Sequence, residues 1–329
     1  MLEKVTTFEA AEVNNEPLII DRDAKGQFYY YDVKGFNFKV FNEQGKVVRS
    51  IGGTGAGPGE FRMARNLLVG ADQSLHVIDV SLSRHSVFSP EGKFVRSNPI
   101  PPSIGGPGRA AIVLPSNHFV ISAEFNARNS AGYALQVVDE KGTRLKMLDE
   151  VSYDKSKRWR LRRHLFPRKS GEFWVANQYT FTIDLYSREL ENVGSFTRTA
   201  DWLEPSSEES LEPPSIGLYD KRPEPLLAGI WEDPDGVLWL QLLVPDPNWK
   251  AGPSAVQATQ QKVSIAQLED RPRYDTVIEA IDVKTRGVLA RLRLKGMVGK
   301  PFSTGFVAKY AENSSGEPSV TISRFRLKR

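Results

Sequence analysis

The chain has no cysteine in its 329 residues. That excludes disulfides, thiolate metal ligands and a thiol nucleophile, and it leaves the compartment open. Histidine is scarce as well: His76, His85, His118 and His164 are the whole set. They show no HxH or HExxH spacing, the arrangements that bring two imidazoles to one metal. No apolar run approaches the ~20 residues needed to span a bilayer. MLEKVTTFEA has no apolar core, so no signal peptide is visible. A start made after removal of such a leader is expected, giving a bacterial periplasmic or secreted protein, with the cytoplasm as the alternative. The net charge of +4 is modest. Proteins that hold nucleic acid through phosphate contacts carry more concentrated basic surface, so nucleic acid is not an expected partner. Neither a serine nucleophile elbow nor a Rossmann fingerprint is present. GTGAGPGEF (Gly53 to Phe61) has the look of a phosphate loop, but it lacks the Lys-Ser/Thr pair and opens a strand instead of a helix.

What the chain does have is a repeated rhythm of short strands and turns. PLIIDRD turns at Ala24-Lys25-Gly26 into QFYYYD, and FNFKVFN turns at Glu43-Gln44-Gly45 into KVVRSI. From Gly52 to Ser97 the unit recurs: NLLVGA, a turn at Asp72-Gln73-Ser74, LHVID, the bend DVSLSR, HSVFS, Pro90-Glu91-Gly92, and KFVRS. Glycine at such turns supplies the positive φ that hairpins require, with Gly26 and Gly45 matched by Ser74 and Gly92. The second strands, FYYYD and LHVID, are apolar at nearly every position, as suits a strand covered on both faces. Recurrence at roughly 40–50 residues predicts an all-β, six-bladed β-propeller in one domain, 1–329. The blades are expected at about 17–52, 62–98, 108–149, 160–198, 226–295 and 303–329. The last is short and is completed by the N-terminal strand around 4–10, because an unclosed ring would leave an open sheet edge. A stretch of about 30 residues, Pro245 to Tyr274, interrupts blade five. It is either functional or a decoration without a ligand.

The loop GPGEF (Gly57 to Phe61), the strand ending VID (Val77 to Asp79) and the stretch VFSPEGKFV (Val87 to Val95) resemble an NHL-type propeller blade. The resemblance is strong over Gly52 to Ser97, fair over Pro17 to Ser50, and elsewhere reduces to rhythm. It implies a toroid of four-stranded blades and no single function, since propellers of this shape include RNA binders, interaction platforms, lactonases and lyases.

Charge is concentrated locally. Lys155 to Lys169 carries Lys155, Lys157, Arg158, Arg160, Arg162, Arg163, Arg168 and Lys169 with no acid, while Asp201 to Glu212 carries Asp201, Glu204, Glu208, Glu209 and Glu212 with no base. Connections between blades emerge on one face, so these loops either neutralise each other or leave an anion-binding mouth. Arginine suits that mouth because its guanidinium grips a carboxylate or phosphate with parallel hydrogen bonds. Candidate ligand-binding residues are Arg62, Arg65, Arg84, Arg109, Glu124, Arg128, Arg160, Arg163, Asn177, Tyr179 and Trp249. His164 is the candidate general base, its cationic neighbours keeping it neutral. His76 and His118 are expected on ordinary strand surface. No cofactor and no metal are expected. Glu16, Asn66 and Glu224 stand where an axial cation would sit, but Arg109 and Arg163 occupy the comparable places in blades three and four and would repel it. The expected function is non-enzymatic recognition of a protein, peptide or anionic small molecule by a monomer. A metal-independent lyase or hydrolase acting on a small polar substrate in the central cavity is the alternative.

Overall fold

A computed structural model of the chain describes residues 1–100, 110–122, 133–150, 161–203, 222–251 and 273–328. The strands form six sheets. Blade one is β2 (Ile20–Arg22), β3 (Phe28–Asp32), β4 (Asn37–Phe41) and β5 (Val47–Gly52). Blade two is β6 (Ala64–Val69), β7 (Leu75–Asp79), β8 (Arg84–Phe88) and β9 (Phe94–Pro99). Blade three holds β10 (Ala111–Val113), β11 (Phe119–Ser122), β12 (Tyr133–Val138) and β13 (Arg144–Glu150), and blade four holds β14 (Arg163–Pro167), β15 (Phe173–Asn177), β16 (Thr182–Tyr186) and β17 (Asn192–Thr197). Blade five is β18 (Leu226–Glu232), β19 (Val237–Pro245), β20 (Tyr274–Asp282) and β21 (Val288–Leu294). In each of these five sheets the strands pair antiparallel in chain order. The sixth sheet has three strands, β22 (Phe306–Glu312), β23 (Pro318–Phe325) and β1 (Leu2–Thr7), with β1 from the other end of the chain on the outside. Leu2 opposes Phe325 and Thr7 opposes Thr321, so the N-terminal strand closes the ring as its edge chemistry predicts.

The repeat is visible in backbone conformation. At the six turns between first and second strands the positive-φ position is held by Gly26, Gln73, Asn117, Gly171, Gly236 and Gly316. In blade two this role falls to Gln73, at φ 66°, and not to Ser74. The second strands are covered on both faces: all five residues of β3 and of β7 are buried. Apolar and aromatic side chains fill the spaces between sheets. Phe61 of the Gly-Pro loop is wedged between blades one and two, its ring 5.8 Å from Phe38 and 5.7 Å from Phe88. Phe8, just beyond β1, stacks on Phe41 at 3.9 Å and so fastens blade six to blade one. Trp174, Trp231 and Trp239 are buried in strands, as their positions predict.

The Gly-Pro loop is built for this wedge. Gly52 takes φ 87°, and a Cβ there would lie 2.1 Å from the Phe61 ring. Gly57 donates its N–H to Glu60 Oε2 at 2.7 Å. Arg84 then closes the loop, donating to the carbonyls of Ala56 at 2.9 Å and Glu60 at 2.5 Å.

Candidate functional site

Strand direction decides which residues can share a site. The innermost strands β2, β6, β10, β14, β18 and β22 all run the same way, so their N-terminal ends gather around one mouth of the axis. The bends after the second strands lie on that face too. Short side chains shape those bends: the Asp32 carboxylate accepts the N–H groups of Lys34 and Gly35, Asp79 those of Arg62, Met63 and Leu82, and Asn177 Oδ1 those of Tyr179 and Thr180. Such side chains hold a turn by mimicking backbone acceptors.

Several sequence candidates turn out to be fastened into the scaffold. The Arg163 side chain is almost wholly buried, and its Nε donates to Asp149 Oδ2 of blade three at 2.5 Å. It therefore bridges two blades and does not point down the axis, so the argument that its charge would repel an axial cation loses that residue. Arg84 holds the Gly-Pro loop. Asn177 holds its own turn, and Tyr179 is buried against Leu226, Leu243 and Tyr274. Trp249 is half-buried beyond β19, its N–H bonded to the carbonyl of Asp246. Arg168 and Lys169 lie at the far end of β14, on the opposite face. There Arg168 pairs with Glu172 and Glu232, so the basic window of the sequence divides between the two ends of the propeller. Arg109, Glu124, Arg128 and Arg160 lie outside the described residues, as do most of the acidic stretch and the core of the blade-five insertion.

Four arginines remain at the mouth. Arg62 and Arg65 enter β6, Arg162 enters β14 and Arg222 precedes β18; none forms an ion pair with a described residue. Arg62, Arg65 and Arg222 are exposed. Sequence reasoning found the first two and passed over Arg162 and Arg222 as site residues, although both stand immediately before a predicted inner strand.

His164 lies one residue into β14, opposite Ala176, and Lys300 comes near it from the connection that leads to blade six. Its Nε2 is buried and makes no hydrogen bond. Burial, reinforced by the Lys300 and Arg162 cations, pushes its pKa down to about 3, so the ring is neutral at physiological pH. A neutral imidazole with an unoccupied nitrogen beside two cations is chemically able to take a proton or accept a hydrogen bond. Of the axial positions, Glu16 is exposed, while Asn66 Oδ1 and Glu224 Oε2 are buried without hydrogen-bond partners. No group of three or more His, Asp or Glu side chains suited to a metal occurs among the described residues.

A second polar cluster lies between blades two and three, toward the opposite face. His76 is 1% exposed, so the expectation of a strand-surface histidine is overturned. Its Nδ1 lies 3.0 Å from His85 Nε2, its Nε2 lies 2.8 Å from Ser74 Oγ, and Ser74 Oγ donates to Asp72 Oδ1 at 2.6 Å. Both rings meet Phe119 of blade three edge-on. Burial pushes His76 down to about 4 and His85 to about 3. A period-two pattern places His76 on one face of β7, but only the approach of Phe119 makes that face an interior one.

Residues 13–196 match the DUF5128 family, described as a 6-bladed beta-propeller. The chain belongs to that family. No curated protein matches it by sequence. Among solved structures it is similar to a DUF4221-family member from Bacteroides vulgatus, at 12% identity and a TM-score of 0.65 over 99% of this chain and 98% of that one. A Bacteroides fragilis protein named as a candidate for export gives a TM-score of 0.66 at 12% identity over 99% and 95%. Virginiamycin B lyase from Staphylococcus aureus gives 0.51 at 10% identity over 99% of both chains. At these identities the likeness concerns the fold. No helix among the described residues is long and apolar enough to cross a membrane.

Proposed function

We propose that this propeller is a recognition domain that binds an anionic ligand, a carboxylate-bearing small molecule or an acidic peptide, at the axial mouth of its loop-bearing face. The observation that carries this reading is the set of four arginines without ion pairs, Arg62, Arg65, Arg162 and Arg222, at the starts of three inner strands. Elsewhere in the molecule arginines are paired: Arg163 with Asp149, Arg168 with Glu172 and Glu232, and Arg198 and Arg291 with Glu279. Cations left unpaired around a concavity hold a field suited to an anion, and guanidinium adds bidentate geometry. The NHL-type likeness of Gly52 to Ser97 fits a propeller used for recognition. The candidate export of the Bacteroides fragilis relative supports a place outside the cytoplasm.

Calorimetric titration with tricarballylate, a tricarboxylate without hydroxyl groups, tests the reading. Binding should weaken about ten-fold or more in the Arg65→Ala/Arg162→Ala double variant and fall steeply with added salt. Absence of binding at millimolar tricarballylate, or equal binding by the double variant, would reject it.

His164 favours a second reading, a metal-independent lyase or hydrolase on a small polar substrate, because its unoccupied Nε2 is available as a general base. Turnover of δ-valerolactone or p-nitrophenyl acetate that disappears in His164→Gln would establish it. Equal turnover by the variant, or none by either protein, would remove it.

A further inference from the structure

The ring of unpaired arginines is interrupted by large apolar side chains that stand open to solvent. Leu18 is 71% exposed, Met297 61% and Met63 46%. Single exposed apolar residues are ordinary on a protein surface. These three lie in the segments that lead into the inner strands β2, β6 and β22, which the topology brings to the same mouth. Each stands close to charge: Met63 lies between Arg62 and Arg65, Met297 between Lys295 and Lys300, and Leu18 follows Glu16. Methionine is unbranched and polarisable, and it moulds itself to varied apolar partners.

This spacing discriminates between ligands. A surface made to enter a lipid layer gathers its apolar side chains into one continuous ridge with cations outside it. Here the apolar side chains stand singly, cations separate them, and the exposed carboxylate of Glu16 would be repelled by an anionic bilayer. A small polycarboxylate would leave the apolar groups in water. The complement of alternating cation and aliphatic is a peptide that alternates acidic and aliphatic side chains, which meets both in one extended pass.

Resting on the anion-binding reading above, we infer that the partner is a protein segment of interleaved acidic and aliphatic residues, bound across the mouth with its carboxylates on Arg62, Arg65 and Lys300 and its aliphatic side chains on Met63 and Met297. Fluorescence anisotropy with fluorescein-labelled (Glu-Leu)4 and (Glu-Ser)4, equal in length and charge, isolates the apolar contribution. The (Glu-Leu)4 peptide should bind roughly ten-fold more tightly, as burial of one or two apolar side chains warrants. In a Met63→Ser/Met297→Ser variant with unchanged melting temperature the gap should close to within about two-fold, while (Glu-Ser)4 binds as before. Equal affinity for the two peptides overturns the inference, as does a gap that survives the double substitution. Association with phosphatidylglycerol vesicles in place of either peptide overturns it in favour of a membrane. If tricarballylate binds and neither peptide does, this inference fails alone; if nothing anionic binds, the anion reading fails with it.

Discussion

Acidification should unfold this protein earlier than its charge balance suggests, because the structure buries neutral histidines. The pKa values of His76 and His85 are pushed down to about 4 and about 3 in the fold, while an unfolded chain leaves them near 6.5. As pH falls below about 6.5 the unfolded chain takes up two protons that the folded one refuses, so stability drops. Each histidine costs about 1.4 kcal/mol per pH unit, or about 2.7 kcal/mol between pH 6.5 and 4.5, and the pair costs about 5 kcal/mol. Two partly covered groups modify this in opposite directions. His164, pushed down to about 3, adds to the loss. Asp21, raised to about 7 chiefly by burial, is protonated in the fold and ionised in the unfolded chain over the same window, so it offsets a similar amount. The remaining ~5 kcal/mol is a large share of a stability in the range of about 5–15 kcal/mol. Urea midpoints followed by tryptophan fluorescence at pH 7.0, 6.0, 5.0 and 4.5 read this directly. His85→Gln should lower stability at pH 7 yet flatten the pH slope by about 1.4 kcal/mol per unit. A midpoint that stays level from pH 6.5 to 4.5, or a slope indifferent to loss of His85, would refute the reasoning.

Other outcomes follow from single contacts. Gly52→Ala drives a Cβ into the Phe61 ring at a φ that disfavours it, so thermal unfolding should show a loss of more than about 2 kcal/mol, whereas Gly53→Ala, with nothing within 4 Å, should be mild. Glu279 is fully buried between Arg198, with contacts at 2.6 and 2.8 Å, and Arg291 at 2.7 Å. Glu279→Gln leaves two cations facing an uncharged group and should cost about 3–5 kcal/mol in denaturant titration. Removing residues 1–8 strips β1 and Phe8 from blade six and bares the edge of β23. The expected result is a broadened, lower melting transition and concentration-dependent association by light scattering.

The sequence alone determined the architecture, because its evidence is local and repeated. Turn residues at fixed intervals, second strands apolar at every position, and a final unit short of strands each have one physical reading. They agree on a closed six-bladed ring, borne out in β1 pairing with β23. It also located the arginine-rich entries to β6 and β14. What it could not decide is how each side chain is used, since that depends on neighbours far along the chain. Arg163 and Arg162 are adjacent in sequence, yet Asp149 from the preceding blade engages the first and leaves the second unpaired. Likewise His76 and His85 become a hydrogen-bonded buried pair only because Phe119 of the next blade closes over them. A repeat determines its own sheet; whether a charge is paired or free is settled between sheets, and only the tertiary packing brings those partners within reach.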